Sequence, residues 1–182
     1  MKGIVFTEFL GMVEDRFGGE TVERIIEEAA LPSGAAYTAV GTYDHQELVR
    51  LAGRLSAAVK VGVPELVQAF GEHLFGRFVQ AYPHFFKGVD SAFAFLAAIE
   101  DHIHVDVRKL YPDAELPTFV CTTLGPDRME MTYRSKRPFG DLAEGLIRGC
   151  IKHFGERIAV QRETLPGESG TAIRFTLTRT KS

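Results

Sequence analysis

Two hydrophobic rhythms run along the chain, and the change from one to the other divides it. Up to about position 110 apolar residues recur every three or four places, the spacing of one helical face. Ile4, Val5, Phe9, Met12, Val13 and Phe17 form the first such stripe over positions 2–17, with Glu8, Glu14 and Asp15 on its polar side, and Gly18-Gly19 ends it. Val22, Ile25, Ile26 and Ala29 form a second from about Thr21, which stops at Leu31-Pro32-Ser33-Gly34. Residues Tyr37–Tyr43 are β-branched or small enough to be extended. Asp44 then caps a helix that runs to about Val61, with Glu47 completing a capping box. Pro64 opens the next helix, whose stripe is Val67, Phe70, Leu74 and Phe78, and Tyr82-Pro83 closes it. A last helix is predicted from Ser91, through Phe93, Phe95, Leu96, Ile99, Ile103 and Val107, to Tyr111-Pro112.

Beyond Pro117 the period falls to two. Thr118–Thr123 and Arg128–Ser135 read as strands joined by the turn Leu124-Gly125-Pro126-Asp127. A helix follows from Phe139 to Phe154, then strands Arg157–Thr164 and Thr171–Thr180 around Pro166-Gly167-Glu168-Ser169-Gly170. The fold class is therefore α+β: a helical N-terminal part and a ββαββ C-terminal part with a four-stranded antiparallel sheet. Residues 1–182 read as one domain, with 1–63 its N-terminal helical part and 64–182 the remaining helices and the sheet.

Composition narrows the function. With 182 residues, 45% of them apolar, the chain has ample material for a core. A net charge of −3 gives no basic surface for nucleic acid. The N-terminus reaches Glu8 before any long apolar run, so neither a signal peptide nor a membrane span is expected, and the protein reads as soluble. Two cysteines, Cys121 and Cys150, have no metal-binding spacing and read as buried small apolar residues in a reducing cytoplasm. Fourteen Phe and no Trp suit a wide, flat ligand as well as an ordinary core.

Chemistry concentrates in two stretches. Of six histidines, His102 and His104 lie two apart on a predicted helix, so at most one of them faces inward. His102 stands beside Glu100 and Asp101, whereas the arc through Ile103 and Val107 takes in position 100 or 104, which makes His104 the better inward imidazole. His73 sits beside the Phe70–Leu74–Phe78 stripe, and His153 ends a helix, where a cation is favourable. In Tyr133-x-Ser135-x-Arg137 a strand would aim a phenol, a hydroxyl and a guanidinium to one face, a set of donors suited to carboxylates. One axial nitrogen and a carboxylate clamp together suit haem.

Read in order, MKGIVF, Ile103-His104-x6-Tyr111-Pro112, Pro117, Tyr133-x-Ser135-x-Arg137 and Ala143-Glu144-Gly145-Leu146 resemble the haem nitric oxide and oxygen binding (H-NOX) family, related to the sensor domain of soluble guanylate cyclase. The resemblance spans essentially the whole chain. It implies haem b between the two parts, with His104 as the iron ligand, Tyr133, Ser135 and Arg137 as a propionate clamp, and Pro117 pressing on the macrocycle. It also implies a distal side formed by Val5, Phe9, Leu74, Phe78, Leu142 and Leu146. Phe9 and Leu74 stand where some members carry a Trp and an Asn, and Leu142 where oxygen-binding members place a Tyr. Each of these departures removes a polar group.

The resemblance therefore implies a stand-alone sensor that binds nitric oxide and carbon monoxide and excludes dioxygen. Nitric oxide would weaken the bond to His104, the haem would relax away from Pro117, and a separate partner would read the change. In bacterial relatives such partners are commonly histidine kinases or cyclic-di-GMP enzymes. A haem enzyme such as a peroxidase, or a haem-free ligand-binding domain, are the other functions these residues leave open. An enzyme is the less expected of these, because apolar Phe9, Leu74 and Leu142 supply no distal acid or base.

Overall fold

The computed structural model describes residues 1–166 and 170–180. Its α-helices are α1 (Gly3–Phe17), α2 (Gly19–Ala29), α3 (His45–Val59), α4 (Val63–Ala81), α5 (Ala92–Ala97), α6 (His104–Leu110) and α7 (Gly140–His153). Its strands are β1 (Thr118–Gly125), β2 (Arg128–Ser135), β3 (Ile158–Thr164) and β4 (Thr171–Arg179). They pair antiparallel in the order β1-β2-β4-β3, so the fold is α+β with a ββαββ C-terminal part. The loop expected around Pro166–Gly170 lies in part outside the described residues.

The period-two pattern sets the inner face of the sheet. Met129, Met131 and Tyr133 of β2 alternate inward, as do Ile173, Phe175 and Leu177 of β4, and all are buried. They pack with Ile147, Cys150 and Ile151 of α7 and with Phe93, Phe95 and Leu96 of α5. A second core joins α1 to α4 around Phe6, Phe9, Ile25, Leu51, Phe70 and Leu74. Leu146 packs against both cores.

At the crossing of α4 and α7 the two backbones touch. A Cβ on Gly71 would fall 2.6 Å from the Leu142 carbonyl oxygen and 2.7 Å from the Gly145 Cα, closer than atoms tolerate. Gly149 repeats the arrangement one turn on, where a Cβ would meet Phe75 at 2.7 Å. Glycine is required there by space, and the contact sets Leu74 and Phe78 beside Leu142 and Leu146.

Three expectations need correction. Residues 37–43 form turns with only an isolated bridge, Lys2 with Thr42, because the two tyrosines that suggested a strand are instead ring partners of Phe6, at 4.5 Å and 5.7 Å. Asp44 does cap α3 by accepting from the Gln46 N–H, but the Glu47 carboxylate does not close a box. It accepts instead from the Ser33 N–H and hydroxyl and the Tyr37 hydroxyl, which pins the preceding loop. The helix expected from Ser91 to Leu110 is also interrupted. A π-turn, Ile99–Ile103, separates α5 from α6, with the Ala98 carbonyl accepting from both the His102 and Ile103 N–H. The inserted residue delays the helical phase by one position.

Candidate haem site

His104 is the first residue of α6, immediately after the π-turn, and it is buried, whereas His102 is exposed. The π-turn leaves Glu100 beside it: Nδ1 of His104 lies 3.1 Å from Glu100 Oε2. A carboxylate only accepts, so Nδ1 carries the proton and Nε2 keeps its lone pair. Nε2 has no hydrogen-bond partner among the described residues. Burial lowers the His104 pKa from its ordinary value and Glu100 only partly offsets it, so the ring is neutral at neutral pH, the form that ligates iron.

Glu100 is itself tightly held. Its Oε2 also accepts from the Phe119 N–H of β1 at 3.2 Å, and its Oε1 accepts from Arg108 at 3.3 Å. Burial pushes its carboxyl pKa up, but the Phe119 N–H, His104 and Arg108 together outweigh that and hold it below the usual value. Glu100 and Phe119 were not singled out from the sequence. An acid one helical turn before an inward histidine was the available signal for Glu100.

The polar triplet lies one strand away. Tyr133, buried on β2, pairs with Phe119 across the β1–β2 ladder, and the Phe119 ring lies 5.4 Å from Tyr133 and 5.7 Å from His104. Burial raises the Tyr133 pKa, against smaller opposing effects of a hydrogen bond with Ser135 and the charge of Arg137, so the phenol is a proton donor at any ordinary pH. Tyr133 and Ser135 share a strand face as expected, but Arg137 stands beyond the end of β2, in a bend. Its N–H donates to the Ser135 hydroxyl at 3.1 Å. Its guanidinium holds the Glu115 carboxylate at 2.5 Å and the Glu115 carbonyl at 3.3 Å. Arg137 is 17% exposed and Glu115 76% exposed, so the cation is fixed while its carboxylate partner can be exchanged for another. Pro117 is half-buried between α6 and β1, in the segment that joins Glu115 to Phe119.

The six apolar residues come together across α1, α4 and α7. Phe9, Leu74 and Leu142 are buried in one core, with Val5, Phe78 and Leu146 packed against it. Phe9 meets Phe70 edge to face at 5.1 Å. No member of this set carries a polar side-chain group. Beside Phe78, a recess of about 190 Å³ lined by Ile4, Glu8, Arg77, Gln80 and Ala81 opens to solvent. His73, outside the set, lies 3.8 Å from Glu8, and burial lowers its pKa. His153 closes α7 among the rings of Phe75, Phe86 and Phe154.

The donor set fits haem. It offers one neutral imidazole with a free lone pair, a cation already adapted to a carboxylate, two hydroxyls near that cation, and an apolar wall. It does not fit a bare metal ion: among the described residues no group of three or more His, Cys, Asp or Glu could hold one. Both cysteines are free, and burial raises their pKa values, that of Cys121 to about 11. No helix of the described residues is long and apolar enough to cross a membrane.

Comparison with known proteins gives the same answer. The family model for Haem-NO-binding domains matches residues 2–162. An Fe(II) unliganded H-NOX protein from K. algicida, in its A71G mutant, is 40% identical over 100% of this chain and 97% of that one, with a TM-score of 0.92. The H-NOX protein of Shewanella woodyi, solved with IWP-051 bound in the Fe(II)CO state, is 42% identical over 99% of this chain and 95% of that one, with a TM-score of 0.84. The S. oneidensis H-NOX protein in the Fe(II)NO state shares the fold at 24% identity over the full length of both chains, with a TM-score of 0.90. No curated protein sequence matches. Matched by the family model over nearly its whole length, this chain belongs to the Haem-NO-binding (H-NOX) family of haem-binding gas-sensor domains.

Proposed function

We propose that this protein senses nitric oxide and also binds carbon monoxide, that it does not retain dioxygen, and that it passes the signal to a separate partner protein. The observation that carries this reading is His104, a buried neutral imidazole with Nδ1 held by Glu100 and Nε2 free. In this reading His104 would hold the iron of haem b through Nε2. Tyr133, Ser135 and Arg137 hold the propionates, with Arg137 exchanging Glu115 for one of them. Pro117 would bear on the macrocycle, and Val5, Phe9, Leu74, Phe78, Leu142 and Leu146, which share one core, would line the gas-binding side. When bound, haem would supply a ferrous iron that takes a diatomic gas.

The chain's own residues supply the selectivity. A bound dioxygen gains from a distal hydrogen-bond donor and nitric oxide does not need one; Phe9, Leu74 and Leu142 offer none. The same three residues cannot hold or move a proton, which favours a sensor over a peroxidase. The Fe(II)CO state of the S. woodyi protein supports carbon monoxide as a ligand. Output would come through His104: it opens α6, and the Pro117 segment joins α6 to β1, so a change in its hold on the group would be felt by both and would shift one half of the domain against the other. A histidine kinase or a cyclic-di-GMP enzyme in the cytoplasm would read that shift. The domain itself catalyses nothing and binds neither nucleic acid nor membrane.

The test begins with the purified protein's absorption spectrum. A Soret band that disappears in His104→Ala is expected, with new bands on adding nitric oxide or carbon monoxide to the reduced protein. A Soret band that persists unchanged in His104→Ala, or peroxide turnover by the wild type, would overturn the reading.

A further inference from the structure

The Glu100 contacts form a balance around the side chain that holds His104. Oε2 accepts from His104 Nδ1 at 3.1 Å and from the Phe119 N–H at 3.2 Å, while Oε1 accepts from Arg108 at 3.3 Å. A carboxylate on Nδ1–H draws the proton toward itself and leaves more electron density on Nε2, making the imidazole a stronger donor to a metal. Each competing donor on the carboxylate removes some of that effect, because it stabilises the negative charge that would otherwise pull on the ring. Arg108 carries a full charge and is half-exposed, whereas Phe119 contributes a backbone dipole from β1.

We infer that Glu100 is a positioning residue that strengthens the iron–His104 bond, and that Arg108 restrains this strengthening. The inference rests on the proposed role of His104 and goes beyond it: the pair sets how readily nitric oxide displaces the imidazole. Two opposed side chains thereby fix the threshold of the switch. Glu100 raises it, and Arg108 lowers it. The bond from Glu100 to the Phe119 N–H also keeps the ring plane in a fixed relation to β1, so the strengthening acts on one imidazole orientation.

Two conservative substitutions in the haem-loaded protein test this. Glu100→Gln keeps an oxygen that can accept from Nδ1–H but removes the charge. Arg108→Gln leaves that charge and removes its charged counterweight, at a side chain 46% exposed. Resonance Raman spectra of the reduced, unliganded protein are expected to show the iron–histidine stretch moving down in Glu100→Gln and up in Arg108→Gln. Stopped-flow absorption after adding nitric oxide is expected to show His104 leaving about tenfold faster in Glu100→Gln, the lower end of what such outer partners contribute, and more slowly in Arg108→Gln. An unchanged stretch in both variants, or a shift in the same direction in both, overturns the inference while leaving the haem site intact. If Glu100→Gln does not retain haem, Arg108→Gln decides alone, and a stretch that fails to rise overturns it. A wild-type protein without a Soret band would overturn the site itself, and the inference with it.

Discussion

The sharpest expectation concerns Leu142. Leu142 is 8% exposed and buried in the core that also holds Phe9, Phe70 and Leu74, none of which carries a hydrogen-bond donor on its side chain. Leu142→Tyr puts one donor into that dry environment. A hydrogen bond to a partly charged acceptor there is worth about 1.5–3 kcal/mol, which is about ten- to a hundredfold in dioxygen affinity at about 1.4 kcal/mol per tenfold. The substitution also adds volume. Leu142 is buried in a packed core, so neighbouring side chains must absorb the extra atoms at about 1–3 kcal/mol of stability. The two effects are read separately. Absorption spectra of the reduced protein in air report gas binding, and thermal melting reports packing. The wild type should show no persistent dioxygen complex, and Leu142→Tyr should form one while melting several degrees lower. A long-lived dioxygen complex in the wild type would refute the reasoning, as would a Leu142→Tyr protein that melts like the wild type and gains no affinity.

Other outcomes follow from the same geometry. Arg137→Ala removes the cation that holds Glu115 and should speed loss of haem to an apo-globin acceptor by about ten- to a hundredfold, one charged hydrogen bond's worth, while leaving the His104 ligation spectrum intact. Gly145→Ala forces a Cβ into the Gln68 backbone and within 2.8 Å of the Gly71 Cα. The gain in helix propensity of about 1 kcal/mol is smaller than the cost of separating the helices, so the thermal midpoint should fall rather than rise. His73 is held below its ordinary value of 6.5 by burial. Above that pH the folded and unfolded chains both keep it neutral; as pH falls below it the unfolded chain binds the proton more readily, so this contribution to stability declines. Chemical denaturation at about pH 7.5 and about pH 5.5 should show a smaller loss in His73→Gln than in the wild type.

Much of this was legible in the residues themselves, and the misses have definite causes. Stripes such as Val67–Phe70–Leu74–Phe78 give α4 because one apolar face is all the helix needs, and the change to period two after Pro117 gives the sheet. The arc of one helix favours His104 over His102, although the helix is broken just before it. The π-turn leaves no mark in the sequence because its residues, Ile99–Ile103, include neither Gly nor Pro. Glu100 is not marked by the helical pattern because its partners lie away from it in the sequence, Phe119 on β1 and Arg108 eight residues on in α6. The alternate spacing puts Arg137 on the face of Tyr133 and Ser135, although the strand read from the sequence, Arg128–Ser135, already ends two residues before it. Glu47 reads as a cap in the sequence because its competitors, Ser33 and Tyr37, come from a loop whose path the sequence does not specify.

The bare crossing of α4 and α7 has a consequence for how such a domain diversifies. Where side chains interdigitate, a substitution can be absorbed by sliding one helix over the other. Gly71 and Gly145 leave nothing to slide on, since backbone meets backbone. The two helices are thus a mould of fixed shape, with Leu74, Phe78, Leu142 and Leu146 as its interchangeable inserts. On the proposed reading, selectivity for a gas would be rewritten one insert at a time, while the His104 side is left as it is.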